Sequence, residues 1–261
     1  MTTMSYPLAD SATMLRRNLK HIVRYPSMTL LLVGMPLIFE LLFVYVLGGT
    51  LGAGLGGGGR SAYVNYLVPG ILLLTVAAAA QGTAISVATD MTEGIIARFR
   101  TMAISRGSVL TGHVLGAMVQ SLFSVVVVLG VSLAIGFRPA AGVLGWLGTL
   151  GVVAMIAFAM TWLCVALGLA ARSVETASNT PMFLTILPFF GSGFVPTASM
   201  PAGLRWFAEY QPFTPMIESL RGLLAGTPVG SSVVVAIAWC AGITAVSYVW
   251  ALRLFHRRPA E

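Results

Sequence analysis

Charged residues are scarce in this chain of 261 residues: 9% are Asp, Glu, Lys or Arg, whereas soluble domains carry about 25%. So little charge cannot cover a water-facing surface. Hydrophobic residues make up 57% of the sequence, and the mean hydropathy is +0.90. The composition therefore excludes a soluble globular protein and indicates a membrane protein.

Cysteine and lysine are also rare. Cys164 and Cys240 both lie in apolar runs, and two isolated thiols indicate neither a metal cage nor a disulfide framework. Lys20 is the only lysine, so the stretch GLGGGGRS at 54–61 has Arg60 where a phosphate-binding loop needs lysine. We interpret this stretch as a flexible glycine-rich connector. No catalytic residue, metal site or bound cofactor is predicted in this chain.

Six apolar runs are each long enough to cross a membrane, which takes roughly 20 residues for a hydrocarbon core of about 30 Å. A cleaved signal peptide is the alternative for the first run, but its long polar lead and full-span length favour a retained helix. Little chain remains outside the runs, so we expect one transmembrane domain over 1–261. The predicted fold class is an all-α polytopic membrane protein with six transmembrane helices, at 28–48, 66–89, 109–136, 143–170, 177–196 and 231–252.

The basic residues predict the orientation, because lysine and arginine are enriched in cytoplasmic segments. With the N-terminus inside, 11 of the 15 basic residues flank the spans on the cytoplasmic side. Both termini are therefore predicted to be cytoplasmic. The net charge of +7 indicates contact with anionic lipid rather than with nucleic acid. The four basic residues expected outside are Arg60, Arg138, Arg205 and Arg221.

Residues 11–25 have the pattern of an amphipathic helix lying along the cytoplasmic interface. Leu15, Leu19 and Ile22 fall on one side, and a simple solvated basic tail is the alternative. The cations of the polar side are Arg16, Arg17, Lys20 and Arg24.

The segment 90–107, between the second and third runs, is far more polar than its surroundings. Asp90 followed by Glu93 is typical of a helix start. A short helix with one apolar face and several cations is predicted to dock a cytoplasmic subunit. A surface loop that obeys the positive-inside bias would explain the arginines alone. The predicted docking residues are Glu93, Ile95, Arg98, Phe99, Arg100, Met102 and Arg106.

Glu40 lies near the middle of the first run, where a carboxylate costs on the order of 3 kcal/mol. It is interpreted as a substrate contact, a proton site or a polar tie to another helix. The proline-punctuated residues 175–201 predict an interrupted helix, which is tolerated only beside protein or a water-filled cavity. A candidate substrate path therefore joins Glu40 to Phe189, Phe190 and Phe194.

Residues 197–226 predict two short outer helices that enter the membrane, return, and plug or line the outer exit. In the second piece, Glu218 and Arg221 lie at i,i+3 on the polar side. Its apolar stripe comprises Met216, Ile217, Leu220, Leu223 and Leu224.

Four stretches together resemble the ABC-2 type permeases, and within them the daunorubicin/doxorubicin-resistance drug-exporter group. They are VYVLGG (44–49), YLVPGILLLT (66–75), ARFRTMAISRGSVLTGH (97–113) and GSGFVPTASMPAGLRWFAEYQPFTPMIESLRGLL (191–224). The last stretch is the most specific. Ala103 departs from the proline that the family often has there.

This resemblance implies a permease subunit that exports hydrophobic or amphipathic molecules, such as drugs, antibiotics or lipid-like compounds, across a bacterial cell membrane. It also implies a second permease, either identical or a sister, and a pair of cytoplasmic ATPase subunits that carry ATP and Mg. The coupling element then matches Glu93–Arg106. The alternative function is an ion- or proton-coupled secondary carrier that uses Glu40; an intramembrane enzyme lacks a catalytic constellation.

Overall fold

The computed structural model describes residues 26–56, 58–92 and 106–257, with side chains over 32–56, 58–92 and 110–255. A π-helical stretch, Leu42–Leu47, joins the first two helices, and 3₁₀ stretches cover Leu187–Phe190 and Thr197–Ser199. Over these residues the chain is helical without strands, which confirms the all-α class. The helices are α1 (Pro26–Leu41), α2 (Gly48–Ala53), α3 (Gly59–Thr92), α4 (Arg106–Ile135), α5 (Val143–Ala170), α6 (Val174–Asn179), α7 (Met182–Ile186), α8 (Ala202–Tyr210), α9 (Phe213–Ala225) and α10 (Ser232–Arg257).

Five of the predicted spans are helices long and apolar enough to cross a membrane, counted over the described residues. About 72% of the most apolar stretch of α3 and 61% of that of α5 are buried, against 28% for the first span and 17% for α10. The central helices are therefore α3 and α5, and the others surround them. The five spans are Leu32–Ala53, Gly59–Thr92, Leu110–Ile135, Val143–Ala170 and Ser232–Phe255.

The fifth predicted span, 177–196, is an interrupted segment made of α6, α7 and the 3₁₀ turn after it. Pro181 and Pro188 break it, because proline has no N–H for the preceding helical turn. The segment nevertheless follows α3 along its length: Ala177 packs with Ala88, and the Tyr63 hydroxyl donates to the carbonyl of Phe194 at 3.2 Å. From Tyr63 to Ala88, α3 rises about 37 Å. The interrupted segment thus extends over a distance sufficient to cross the bilayer core.

The two ends of the described chain lie at the same end of the bundle. Near the start of the first span, Leu32 lies against Gly82 of α3, and Phe255 of α10 packs with Val87 and Leu110. The connection between α3 and α4 lies at the same end of the bundle. We call this end of the bundle the inner end. That it faces the cytoplasm is the prediction from charge. The predicted interfacial helix, 11–25, lies outside the described residues.

The glycine-rich connector after the first span forms a tight turn over its described residues. Gly56 and Gly59 have φ of +92° and +58°, values that glycine adopts without a steric penalty. The chain reverses so tightly that a Cβ on Gly52 would lie 2.1 Å from the carbonyl oxygen of Gly59. The turn therefore fixes the first span beside α3.

The two short helices predicted near the outer exit are α8 and α9. The apolar stripe of α9 is buried at Met216, Ile217, Leu220 and Leu224, which join the main core. By contrast, α8 exposes Trp206 and Tyr210. Their entry into the membrane and return stay a prediction.

Candidate functional site

Glu40 is fully buried at the end of α1, immediately before the π-helical stretch. Its Oε1 lies 2.5 Å from the hydroxyl of Ser132 on α4, and that hydroxyl is also 2.9 Å from the carbonyl of Val128. Its Oε2 has no hydrogen-bond partner among the described residues. Of the three roles expected for Glu40, this geometry corresponds to a polar tie between two helices.

A cluster of four phenylalanines lies beside Glu40, between α1 and the interrupted segment. The rings of Phe189 and Phe194 stack with centroids 4.2 Å apart, and Phe39 and Phe43 of the first span pack against them at 5.3 and 4.8 Å. Stacked and edge-to-face rings stabilise such clusters beyond the area they bury. The structure therefore brings together Phe189, Phe194 and the helix that carries Glu40. Phe190, in contrast, is 44% exposed.

Sequence reasoning missed Phe39 and Phe43. The available signal was their spacing: they lie at i−1 and i+3 from Glu40, so all three residues share one half of the helix. Their partners, however, come from a distant part of the chain. A span that is apolar on all sides gives no sequence signal for which of its faces contacts which neighbouring helix.

A second polar group lies at the outer end of the bundle, around Arg221 of α9. The Arg221 guanidinium pairs with Glu218, as the i,i+3 spacing predicts. It also donates to the carbonyl oxygens of Tyr66 at 3.2 Å and Ser192 at 2.6 Å, and its Cζ lies 3.8 Å from the centre of the Tyr66 ring. The Tyr66 hydroxyl donates to the same Ser192 carbonyl at 2.8 Å. These contacts join α3, α9 and the interrupted segment.

At the inner end, α3 and α4 are joined by a contact between Asp90 and His113. The Asp90 Oδ2 and His113 Nε2 atoms are 3.0 Å apart, and the imidazole is almost fully buried. The two atoms are close enough to interact, although His113 Nε2 has no hydrogen bond of good geometry among the described residues. The contact holds together the two helices that emerge into the segment 93–105.

Most predicted docking residues lie outside the described residues: Glu93, Ile95, Arg98, Phe99, Arg100 and Met102. Arg106 begins α4, but its side chain lies outside the described part as well. The same holds for Arg16, Arg17, Lys20 and Arg24. Their roles therefore stay predictions.

Groups that could hold a metal are absent from the described residues, since no three His, Cys, Asp or Glu side chains meet there. Cys164 and Cys240 are buried free thiols.

Comparison with known proteins links this arrangement to membrane transport. The chain is 28% identical to the daunorubicin resistance ABC transporter permease protein DrrB1 of Streptomyces coeruleorubidus, over 97% of this chain and 89% of that protein. It is 27% identical to the probable doxorubicin resistance ABC transporter permease protein DrrC of Mycobacterium tuberculosis, over 86% and 81% of the two chains.

The apolar helices and bacterial relatives indicate a multi-pass protein of a bacterial cell membrane. The profile of the ABC-2 type transporter family matches residues 11–225. The match covers most of the chain, including α1, α3, α4, α5 and the outer pair α8 and α9. The chain therefore belongs to the ABC-2 type transporter family.

Proposed function

We propose that this chain is the permease subunit of an ATP-driven exporter that moves hydrophobic or amphipathic molecules, such as drugs, out of the cell. Family membership and the names of both relatives support this function. ATP and Mg bind to separate cytoplasmic subunits, and the chain itself carries out no covalent chemistry.

The observation that carries the proposal is the exposed side of the interrupted segment. Pro181 and Pro188 leave carbonyls of the preceding turns without their helical donors. Lipid cannot satisfy such groups, so irregular backbone at membrane depth must face protein or water. One side of the segment packs on α3, but the other side is open. That side exposes Met182 (52%), Phe183 (44%), Ile186 (42%) and Phe190 (44%).

We infer that a second permease faces this open side and that the translocation path runs between the two. Membrane-embedded apolar faces normally meet lipid, but this one combines apolar side chains with an interrupted backbone. The phenylalanine cluster lies between the interrupted segment and the first span, and Glu40 follows Phe39 of this cluster on α1. An apolar, aromatic wall suits amphipathic cargo better than sugars or inorganic ions.

Coupling to the ATPase is proposed to act through the segment 90–107. This segment connects α3 to α4 at the inner end, and α3 is the helix with the largest buried fraction. Because the interrupted segment is hydrogen-bonded to α3, through Gln81 to the Ser178 carbonyl at 2.8 Å, movement of α3 reaches the proposed path.

The docking segment is tested by charge reversal. In R98E/R100E, two cations of the proposed docking segment become anions, so we expect the ATPase subunit to stop co-purifying and export to be lost. The control is R205E, which alters an exposed cation on α8. If R98E/R100E keeps both ATPase association and export, this docking site is wrong.

A further inference from the structure

Arg221 combines partial burial with an unusual set of acceptors. Its side chain is 16% exposed, and its guanidinium contacts two backbone carbonyls that belong to different membrane segments. An arginine on a water-exposed surface would have its hydrogen-bond donors satisfied by Glu218 and water alone. The planar fork of guanidinium N–H groups can instead bridge several oxygens held at fixed positions.

The two carbonyls differ in their backbone setting. Pro69 of α3 has no N–H for the carbonyl of Asn65, and Tyr66 is the next residue of the same turn. Ser192 lies in the turn after the 3₁₀ stretch, outside any helix. Arg221 thus donates to one carbonyl within the α3 helix and to one in the non-helical turn, and so joins the two.

The three elements that meet at Arg221 are packed closely. A Cβ on Gly70 would lie 2.7 Å from the carbonyl oxygen of Gly193, so the backbones of α3 and the turn touch directly. Ser192, Phe194 and Tyr63 are 2%, 3% and 1% exposed. The outer end of the bundle is therefore closed at this junction, with Arg221 on its rim.

We propose that Arg221 is a clasp that keeps this outer junction closed, and that export requires its hydrogen bonds to the Tyr66 and Ser192 carbonyls to break. The proposal rests on the proposed function in assigning this end to the exit. While the clasp is made, α9, α3 and the turn at 191–194 move as one unit. When it breaks, α9 can move away from the turn and expose the residues behind it.

Glu218 and Tyr66 position the clasp. Glu218, which is 39% exposed, pairs with the Arg221 guanidinium, and the Tyr66 ring packs against the same cation. The Arg205–Glu209 pair on α8 provides a matched control, because it has the same charges but is about half exposed on both sides and lies within one helix. Loss of the Arg205–Glu209 pair should leave the outer junction closed.

The test measures the accessibility of a thiol behind the clasp. The S192C substitution is made in a C164A/C240A background, and the permease is expressed with its ATPase subunit in whole cells. The rate of modification by a membrane-impermeant maleimide is then compared with and without R221A. We expect R221A to raise the rate roughly tenfold or more, because each lost charge-assisted hydrogen bond shifts the closed–open equilibrium by about that factor. R205A should leave the rate unchanged.

A conservative variant separates clasp function from folding. R221K keeps the positive charge but lacks the fork that bridges two carbonyls, so we expect an intermediate labelling rate with normal abundance in the membrane. Export per ATP hydrolysed should fall in the same order, from Arg221 through R221K to R221A. Equal labelling rates with Arg221, R221K and R221A would overturn the clasp.

Labelling in inverted vesicles tests the clasp separately from the proposed orientation of the protein in the membrane. If position 192 faces the inside of the cell, the R221A effect appears in inverted vesicles and not in whole cells, which contradicts the assignment of the exit but leaves the clasp standing. If R221A has no effect in either preparation, the clasp is wrong whatever the direction of transport.

Discussion

At the scale of single residues, three polar side chains bond to partners on other membrane segments. Glu40 contacts Ser132, Gln81 donates to the Ser178 carbonyl, and Arg221 reaches Ser192. Lipid offers no hydrogen bonds, so such contacts between helices contribute about 0.6 to 1.7 kcal/mol each. These residues therefore specify which helices are neighbours, a choice that apolar side chains leave open.

The tie between Glu40 and Ser132 yields a stability prediction. S132A leaves the buried carboxyl group without its partner, and we expect it to lower the free energy of unfolding in detergent by about 1 to 3 kcal/mol. The double variant E40L/S132A, which removes both polar groups, should lose less than the sum of the single changes.

A control for that pair lies on the same helix. Ser124 is fully buried on α4, and its hydroxyl has no hydrogen-bond partner among the described residues. S124A should therefore change the unfolding free energy by roughly 0.5 kcal/mol or less. An equal loss in S124A and S132A would contradict a specific tie at Glu40.

At the scale of elements, the interrupted segment is the part of the fold most open to a direct test. If its exposed face meets a second permease, the I186C substitution in a C164A/C240A background should form a covalent dimer under mild oxidation. Val246 on α10 is 70% exposed and provides the control, because V246C should stay monomeric on a face that meets lipid. Cross-linking is read by non-reducing gel electrophoresis. Dimers through V246C but not I186C would move the proposed path to another face.

The spans could be predicted because the length of an apolar run follows from the thickness of the membrane. The start of α3 was missed by several residues, since Arg60 and Asn65 are polar. Both are accommodated through contacts: Arg60 lies over the Tyr45 ring at 5.0 Å, and Asn65 accepts from the Arg138 amide at 2.9 Å.

That the substrate path runs past Glu40 and the three phenylalanines stays a prediction. Phe189 and Phe194 join one cluster, and Phe190 lies on the exposed side of the same segment. The breaks at Pro181 and Pro188 were evident in the sequence, because proline acts locally. The partners Ser132, Tyr66 and Phe39 were not, since they depend on how distant helices rotate against one another.

At the scale of the whole molecule, the architecture has a buried central helix that extends from one end to the other. The Asp90–His113 contact lies at the inner end of α3, and the bonds to Arg221 lie at its outer end. Under the proposed coupling, a displacement imposed at the inner end reaches the outer junction through α3.

This arrangement predicts the energy source of transport. In inverted vesicles that contain the permease and its ATPase subunit, uptake of a fluorescent amphipathic drug should require ATP and survive collapse of the proton gradient. E40Q should retain ATP dependence if Glu40 serves as the polar tie to Ser132 that its geometry favours. Uptake driven by a proton gradient without ATP would instead favour a secondary carrier.

The breaks at Pro181 and Pro188 have a mechanical consequence. A continuous α-helix must break backbone hydrogen bonds before it can bend sharply. A helix that lacks some of these bonds can bend at the positions where they are missing. The segment beside the proposed path can therefore bend at two positions, next to the wall that cargo would touch.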